Sequence, residues 1–356
     1  MVSVTAPDTA TLPWAWYSDP DVAQRERDRI FGLTWQYVGH LGELDGPGSY
    51  FAGHAGGIPV VVTLDRDEHL RAFINVCRHR GAVVARGSAR RGTLQCPYHA
   101  WTYGLDGCLR AAPRSDAEDG FEREALGLRP ASVGTWGPFV LVNPDAGAEP
   151  LDRALGDLPD IVAAHGLDVD ALRWHRRVRY ELNANWKIAL ENYLECYHCQ
   201  INHPALVEVI DERALTLQEA GLRLSQLSPA NERVAAGTAP LDARGPIGES
   251  QFHLLLPTMK FNVLPGHPNL SIGPVWPVAA DRCAGFLDYF FGGDVDERWI
   301  AELYAFDDVV GAEDTALIEA AQLGTSCGMI EHGRLLARDD MLIARFRDYV
   351  TRRLAS

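Results

Sequence analysis

Four side chains in two short segments have the types and spacing to hold a metal centre. Cys77-Arg78-His79 is followed, after sixteen intervening residues, by Cys96-Pro97-Tyr98-His99. Each segment offers one thiolate and one imidazole beside a turn, so the two can close as facing loops. Such a donor set suits zinc or an iron–sulfur cluster. Zinc-finger spacing normally takes a Cys pair from one loop and a His pair from the other. Here each loop supplies one of each. That pattern matches a cluster in which two thiolates hold one iron and two neutral imidazoles hold the second, an arrangement that raises the reduction potential.

A second constellation lies about a hundred residues further on, in Glu191-Asn192-Tyr193-Leu194-Glu195-Cys196-Tyr197-His198 and Cys199-Gln200-Ile201-Asn202-His203-Pro204. A helix turns 100° per residue, so Glu195 and His198 would share a face. Pro204 pushes the residue before it out of helical geometry. The helix is therefore expected to end near Cys199, bringing His203 back towards His198. Two imidazoles and one carboxylate on one side of an iron leave positions open for oxygen and substrate. The bland alternative is a surface or satisfied buried histidine pair. Cys196 and Cys199 could form a redox pair, but small packing residues on a buried helix are the expected reading.

The elements that must position these residues are readable in outline. Asp19-Pro20-Asp21 supplies a cap and first-turn proline for a charged helix carrying Val22, Ile30 and Phe31. From Trp35 to about Asn143, short apolar runs such as 59–63, 72–76 and 139–142 indicate a small all-β unit. Residues 146–159 read as a connector. A strand over 174–182 leads into a helix over about 186–199, with further strands near 254–256, 270–275 and 286–291. Two helices close the chain, over about 307–323 and 341–354. The domain bounds expected are an N-terminal helical segment 1–35 packing with the catalytic domain, a cluster domain 36–150 and a catalytic domain 151–356.

Composition narrows the function. The 356 residues carry 33 basic and 48 acidic side chains, a formal charge of −15, which disfavours nucleic acid. No apolar run reaches the length of a membrane span, and Met1–Asp19 shows no leader pattern. Seven cysteines without such a leader point to a reducing, cytoplasmic compartment rather than a disulfide framework. Against the acidic background, Arg71, Arg78, Arg80, Arg86, Arg90 and Arg91 lie in a stretch without an acid. They are either surface arginines paired with acids from elsewhere or a docking patch for an acidic electron donor.

His99-Ala100-Trp101-Thr102-Tyr103-Gly104-Leu105-Asp106-Gly107 resembles the segment after the second ligand pair in Rieske oxygenases, with Ala100 where glycine is usual. Tyr17-Ser18-Asp19-Pro20, Trp35-Gln36-Tyr37-Val38-Gly39-His40 and both metal motifs extend the resemblance to the α subunits of Rieske non-haem iron oxygenases along nearly the whole chain. It implies an α+β architecture: a β-sandwich Rieske domain and a helix-grip catalytic domain, with an antiparallel sheet curved around a long C-terminal helix. It implies a [2Fe–2S] cluster on Cys77, His79, Cys96 and His99, and a mononuclear Fe(II) on His198 and His203. Glu313-Asp314 followed by Gln322-Leu323-Gly324-Thr325-Ser326 resembles the distal motif, which carries the third iron ligand to Asp314. Asp307, Asp308, Glu313 and Glu319 compete for that role. Glu195 matches the acid that bridges one subunit's cluster to its neighbour's iron, linking His99 to His198, which implies a head-to-tail trimer.

The implied reaction uses O2 and NAD(P)H electrons delivered by a separate ferredoxin or flavin reductase. The chain is shorter than typical ring-dihydroxylating subunits, so hydroxylation or oxidative demethylation of a small molecule is expected over cis-dihydroxylation. The readings from another class are a Rieske electron carrier and a zinc-bearing small-molecule binding protein. Trp276, Tyr289, Phe290 and Phe291 are candidate cavity aromatics, able to cage a quaternary ammonium.

Overall fold

Asp19 opens the first helix by accepting the backbone N–H of Asp21 at 2.8 Å, with Pro20 in the first turn. Helix α1 then runs Pro20–Arg29 in a computed structural model that describes residues 9–355. Of the stretch read as lacking a leader, residues 1–8 lie outside the described residues, and Trp14–Tyr17 forms a 3-10 turn before α1. The chain divides into two compact units, residues 31–154 and residues 1–30 with 155–356. Among the described residues no helix is long and apolar enough to cross a membrane.

The first unit is all β. Strands β1 (Gln36–His40), β2 (Ser49–Ala55), β3 (Ile58–Leu64), β4 (Leu70–Ile74), β5 (Ser88–Arg90), β9 (Pro130–Trp136) and β10 (Phe139–Asn143) form a sheet ordered β1-β10-β9-β4-β3-β2-β5. A second sheet joins β6 (Thr93–Gln95), β7 (Thr102–Gly104) and β8 (Leu109–Ala111) in that order. Strands β3 and β10 are nearly continuous β-branched and aromatic runs because both faces are covered. Residues 77–79 follow β4, and residues 96–99 form the β6–β7 connection.

The second unit carries seven antiparallel strands ordered β11-β17-β16-β15-β14-β13-β12. These are β11 (Leu172–Leu182), β12 (Thr216–Ala220), β13 (Arg223–Pro229), β14 (Glu249–Leu255), β15 (Met259–Val263), β16 (Asn269–Ala279) and β17 (Arg282–Gly292). The supposed connector holds two short helices, α2 (Leu151–Leu155) and α3 (Leu158–Ala164), with Pro159 in the first turn of α3. Helix α4 (Trp186–Tyr193) stops six residues before the expected end, and the short α5 (Cys199–Asn202) follows. After α6 (Glu232–Ala236) come α7 (Glu297–Thr325) and α8 (Met341–Ala355). Helix α7 begins ten residues earlier than expected, capped by Asp296, whose side chain accepts from the Arg298 N–H.

The N-terminal segment is fastened to α4 by a buried ion pair. Lys187 Nζ meets Glu26 Oε1 at 2.5 Å with both side chains fully buried, and Trp186 Nε1 donates to Glu26 Oε2 at 2.8 Å. Tyr17 donates its hydroxyl to the Glu191 carboxylate at 2.8 Å. Removing one member of a buried pair strands the other charge. Lys187→Met is therefore expected to destabilise the protein by about 3–5 kcal/mol, read as a lower urea midpoint. An unchanged midpoint would show that Glu26 does not depend on this partner.

Candidate metal centres and substrate cavity

The two cluster loops are built alike. The N–H of Gly81 donates to the Cys77 carbonyl at 3.0 Å, and that of Ala100 to the Cys96 carbonyl at 3.1 Å. Both fourth-following residues are left-handed, Gly81 at φ +74° and Ala100 at φ +58°. A left-handed conformation costs an L residue about 1–2 kcal/mol, partly offset by the greater chain entropy glycine loses. Ala100→Gly is accordingly expected to raise the thermal midpoint of cluster bleaching, a gain of about 1 kcal/mol at most. A fall in that midpoint would contradict the strain.

These loops bring Cys77 and Cys96 together among buried apolar side chains, with the two thiols close enough to interact. Tyr103 touches both backbone and sulfur: its hydroxyl lies 3.3 Å from Cys77 Sγ and accepts the Arg78 N–H at 3.0 Å. The His79 and His99 rings meet at 4.7 Å, and Trp101 stacks on His79 at 4.9 Å with planes 6° apart. His99 Nδ1 is buried without a hydrogen-bond partner among the described residues. Burial, then the charges of His79 and Arg80, hold His99 below the ordinary imidazole pKa, which favours the neutral ligating form. Two buried thiols and an orphaned ring nitrogen are a donor set suited to the mixed-ligand cluster.

In the second unit α4 ends before Glu195, so Glu195 and His198 do not share a helix face as expected. They sit in the link between α4 and α5, where the Glu195 carboxylate accepts His198 Nδ1 and the backbone N–H of Tyr197. His203 caps α5 at its C-terminus, ahead of Pro204. Three donor atoms then converge: His198 Nε2 and His203 Nε2 at 3.0 Å, His203 Nε2 and Asp314 Oδ1 at 3.0 Å, His198 Nε2 and Asp314 Oδ1 at 3.5 Å. A separation of about 3 Å is the edge of an octahedron with bonds of about 2.1 Å, so the triad fits one face of a six-coordinate metal.

Both imidazoles are backed by carboxylates. Glu195 holds Nδ1 of His198, and Glu313 holds Nδ1 of His203 at 2.7 Å, leaving both Nε2 atoms towards the centre. Burial works against charge at His198, yet Asp314 and Glu195 overcome it and lift the imidazole to about 9. Burial likewise opposes ionisation of Asp314, but His198 and His203 hold its carboxyl at about 2. Of the competing acids, Asp307 bonds Tyr289, Glu319 accepts from Asn183, and Asp308 is exposed. Glu313 was weighed only as a competitor; its role as the partner of His203 needed the fold to be seen.

Cys196 and Cys199 are joined as a disulfide, which corrects the reading of both as packing residues. The turn after α4 brings their Cα atoms to 5.0 Å, inside the ordinary range for such a bond.

The triad opens on a cavity of about 210 Å³. Its floor is a row of register partners across five strands: Gln226, Phe252, Asn262, Ser271 and Tyr289. Its wall is the α7 face bearing Asp307, Val310, Gly311 and Asp314. Of the candidate aromatics, Tyr289 and Phe291 line it. Phe290 points to the opposite face, as strand alternation requires, and Trp276 packs on Phe286 at 6.0 Å instead. Lys260, Asn262 and Gln226 were not singled out from sequence; the two-residue spacing of Lys260 and Asn262 on one strand was the available signal.

Comparison with known proteins places the chain in a family by its two domains. Residues 34–128 match the Rieske [2Fe-2S] domain, and residues 169–356 match the ring hydroxylating alpha subunit catalytic domain. The chain belongs to the Rieske non-haem iron oxygenase family, and it carries that family's [2Fe–2S] cluster and mononuclear iron. It is 31% identical over 346 residues to the carnitine monooxygenase oxygenase subunit of Acinetobacter pittii, covering 93% of this chain and 90% of that one. It is 29% identical to the chloroplastic choline monooxygenase of Spinacia oleracea, over 92% of this chain and 74% of the relative. The quaternary ammonium Rieske monooxygenase CntA with L-carnitine superposes with a TM-score of 0.83 at 28% identity, over 98% of this chain and 96% of that one. Naphthalene 1,2-dioxygenase, at 19% identity and a TM-score of 0.79, shares the fold. The chain is thus an oxygenase component acting on a small organic substrate, monooxygenation being favoured over cis-dihydroxylation.

Proposed function

We propose that this oxygenase inserts one oxygen atom into a small nitrogen-bearing molecule, by hydroxylation or oxidative demethylation. The observation that carries the reading is the convergence of His198, His203 and Asp314 at the edge of a small, largely apolar cavity. Cys77, His79, Cys96 and His99 would hold the cluster, and His198, His203 and Asp314 the iron. Bound there, the cluster passes single electrons and the iron activates O2. The protein's own part is to orient the imidazoles through Glu195 and Glu313, to keep the cavity largely apolar, and to seat the substrate beside the triad.

Glu195 acts as the bridge between centres, its carboxylate on His198 in one subunit reaching His99 of a neighbour in a head-to-tail trimer. A 27%-identical relative was described for its inter-subunit electron transfer, which supports this assignment. The electron donor is an acidic ferredoxin or flavin reductase. Arg71 pairs with Asp65 at 3.3 Å, whereas Arg78, Arg80, Arg86, Arg90 and Arg91 are exposed with no acidic partner among the described residues. That leaves a positive surface beside the cluster loops for docking. A cytoplasmic site suits Cys77 and Cys96, the two free thiols that must stay reduced to hold the cluster.

The test is a panel of small amines and aromatic acids with a surrogate reductase, following products by mass spectrometry. Coupled hydroxylation or loss of a methyl group as formaldehyde is expected. A cis-diol from an aromatic acid, with no amine oxidised, would overturn the monooxygenase reading.

A further inference from the structure

One carboxylate in the cavity has an oxygen with nothing to accept from on its open side. Asp307 precedes Asp314 by seven residues on α7, so both face the cavity about 10.5 Å apart along the helix axis. One Asp307 oxygen accepts the Tyr289 hydroxyl at 3.0 Å. The other makes no hydrogen bond, and no cation pairs with the carboxylate among the described residues. Lys260 lines the same cavity but rests over the rings of Tyr180 and Tyr193, at 5.0 and 5.7 Å, without an ion pair. Burial lifts Asp307 to about 6; Tyr289 and Lys260 lower it, and Asp308 adds to the rise.

A half-buried carboxylate oxygen that lines a largely apolar cavity and lacks a donor favours a ligand that donates. A quaternary ammonium has no N–H and would leave Asp307 with charge attraction alone. A protonated primary, secondary or tertiary amine supplies both the charge and the donor, and a site built for that donor discriminates strongly against the analogue lacking it. We propose that the cavity selects a protonated amine bearing at least one N–H, anchored by Asp307 with Tyr289 setting the carboxylate's angle. The chain would thereby depart from its relatives named for choline and carnitine. The charged head would sit two helical turns from Asp314, with the carbon to be oxidised towards the triad.

This inference rests on the cavity being the substrate site of the oxygenase proposed above, so its test reads binding rather than turnover. Linear alkyl chains of increasing length, each ending in a dimethylamino, trimethylammonio or tert-butyl group, are titrated calorimetrically into the iron-loaded holoprotein at pH 7.5. At the best chain length the dimethylamino compound should bind roughly 100-fold more tightly than its trimethylammonio twin. Asp307→Asn should remove most of that preference while changing tert-butyl affinity less than about threefold, and Tyr289→Phe should weaken it partially. Equal or tighter binding of the quaternary compound, no binding of any amine, or an unchanged preference in Asp307→Asn would overturn the inference. Amines ranked as expected but never oxidised would leave this selectivity standing and remove the monooxygenase reading instead.

Discussion

Glu195→Ala is expected to leave both metal centres loaded and to bring turnover driven through the cluster down by at least about 100-fold. The carboxylate bonds Nδ1 of His198 and the backbone N–H groups of Tyr197 and His198. Alanine removes the orienting partner of one iron ligand and the only group assigned to connect the two centres. His203, Asp314 and Glu313 keep their mutual contacts, so iron content should stay near the wild-type level. Iron analysis, the EPR signal of the reduced cluster and NADH-coupled product formation separate these effects. Wild-type multiple turnover in the variant would refute the bridging role.

Asp314→Ala is expected to lower the iron content from about three to about two per chain, without changing the cluster signal, and to abolish product formation. Asp314 is the one anionic member of the triad, and its carboxyl is held at about 2 by the two histidines. Removing it leaves two neutral donors for a divalent ion. Glu313→Gln should be milder, lowering iron affinity by about 10–100-fold, because it perturbs His203 without touching the centre itself. Three irons retained in Asp314→Ala would reassign the third ligand, and the neighbouring Glu313 would be the first alternative to examine.

The proposed metal ligands were the most legible part of the chain because their chemistry is confined to short segments. Cys77-x-His79 and Cys96-x-x-His99 carry their meaning locally, and Pro204 announced that His203 leaves helical geometry. Asp314 was legible only through resemblance. Five acids lie between Asp307 and Glu319, and selecting one requires knowing which face of α7 meets the histidines. The same limit hid Glu313 as the partner of His203. Strand β13 escaped an apolar reading because it buries Arg223, Ser225, Gln226 and Ser228, and only the apolar end of β14 was read because its first part buries Ser250, Gln251 and His253. With polar side chains on the buried face, no hydrophobic alternation marks these stretches. The start of α7 was available but overlooked: Asp296 caps it, and Trp299, Ile300, Leu303 and Tyr304 form a buried stripe at helical spacing. The early end of α4 could not be read, since nothing between Tyr193 and Cys199 breaks a helix.

Metal and labile-sulfide analysis of the purified protein, with EPR after reduction, tests the account most directly. Two separate iron sites predict about three irons and two sulfides per chain, with a cluster signal that Cys77→Ser eliminates and Asp314→Ala spares. A single zinc on the cysteine and histidine loops, or a cluster with no third iron, would contradict it.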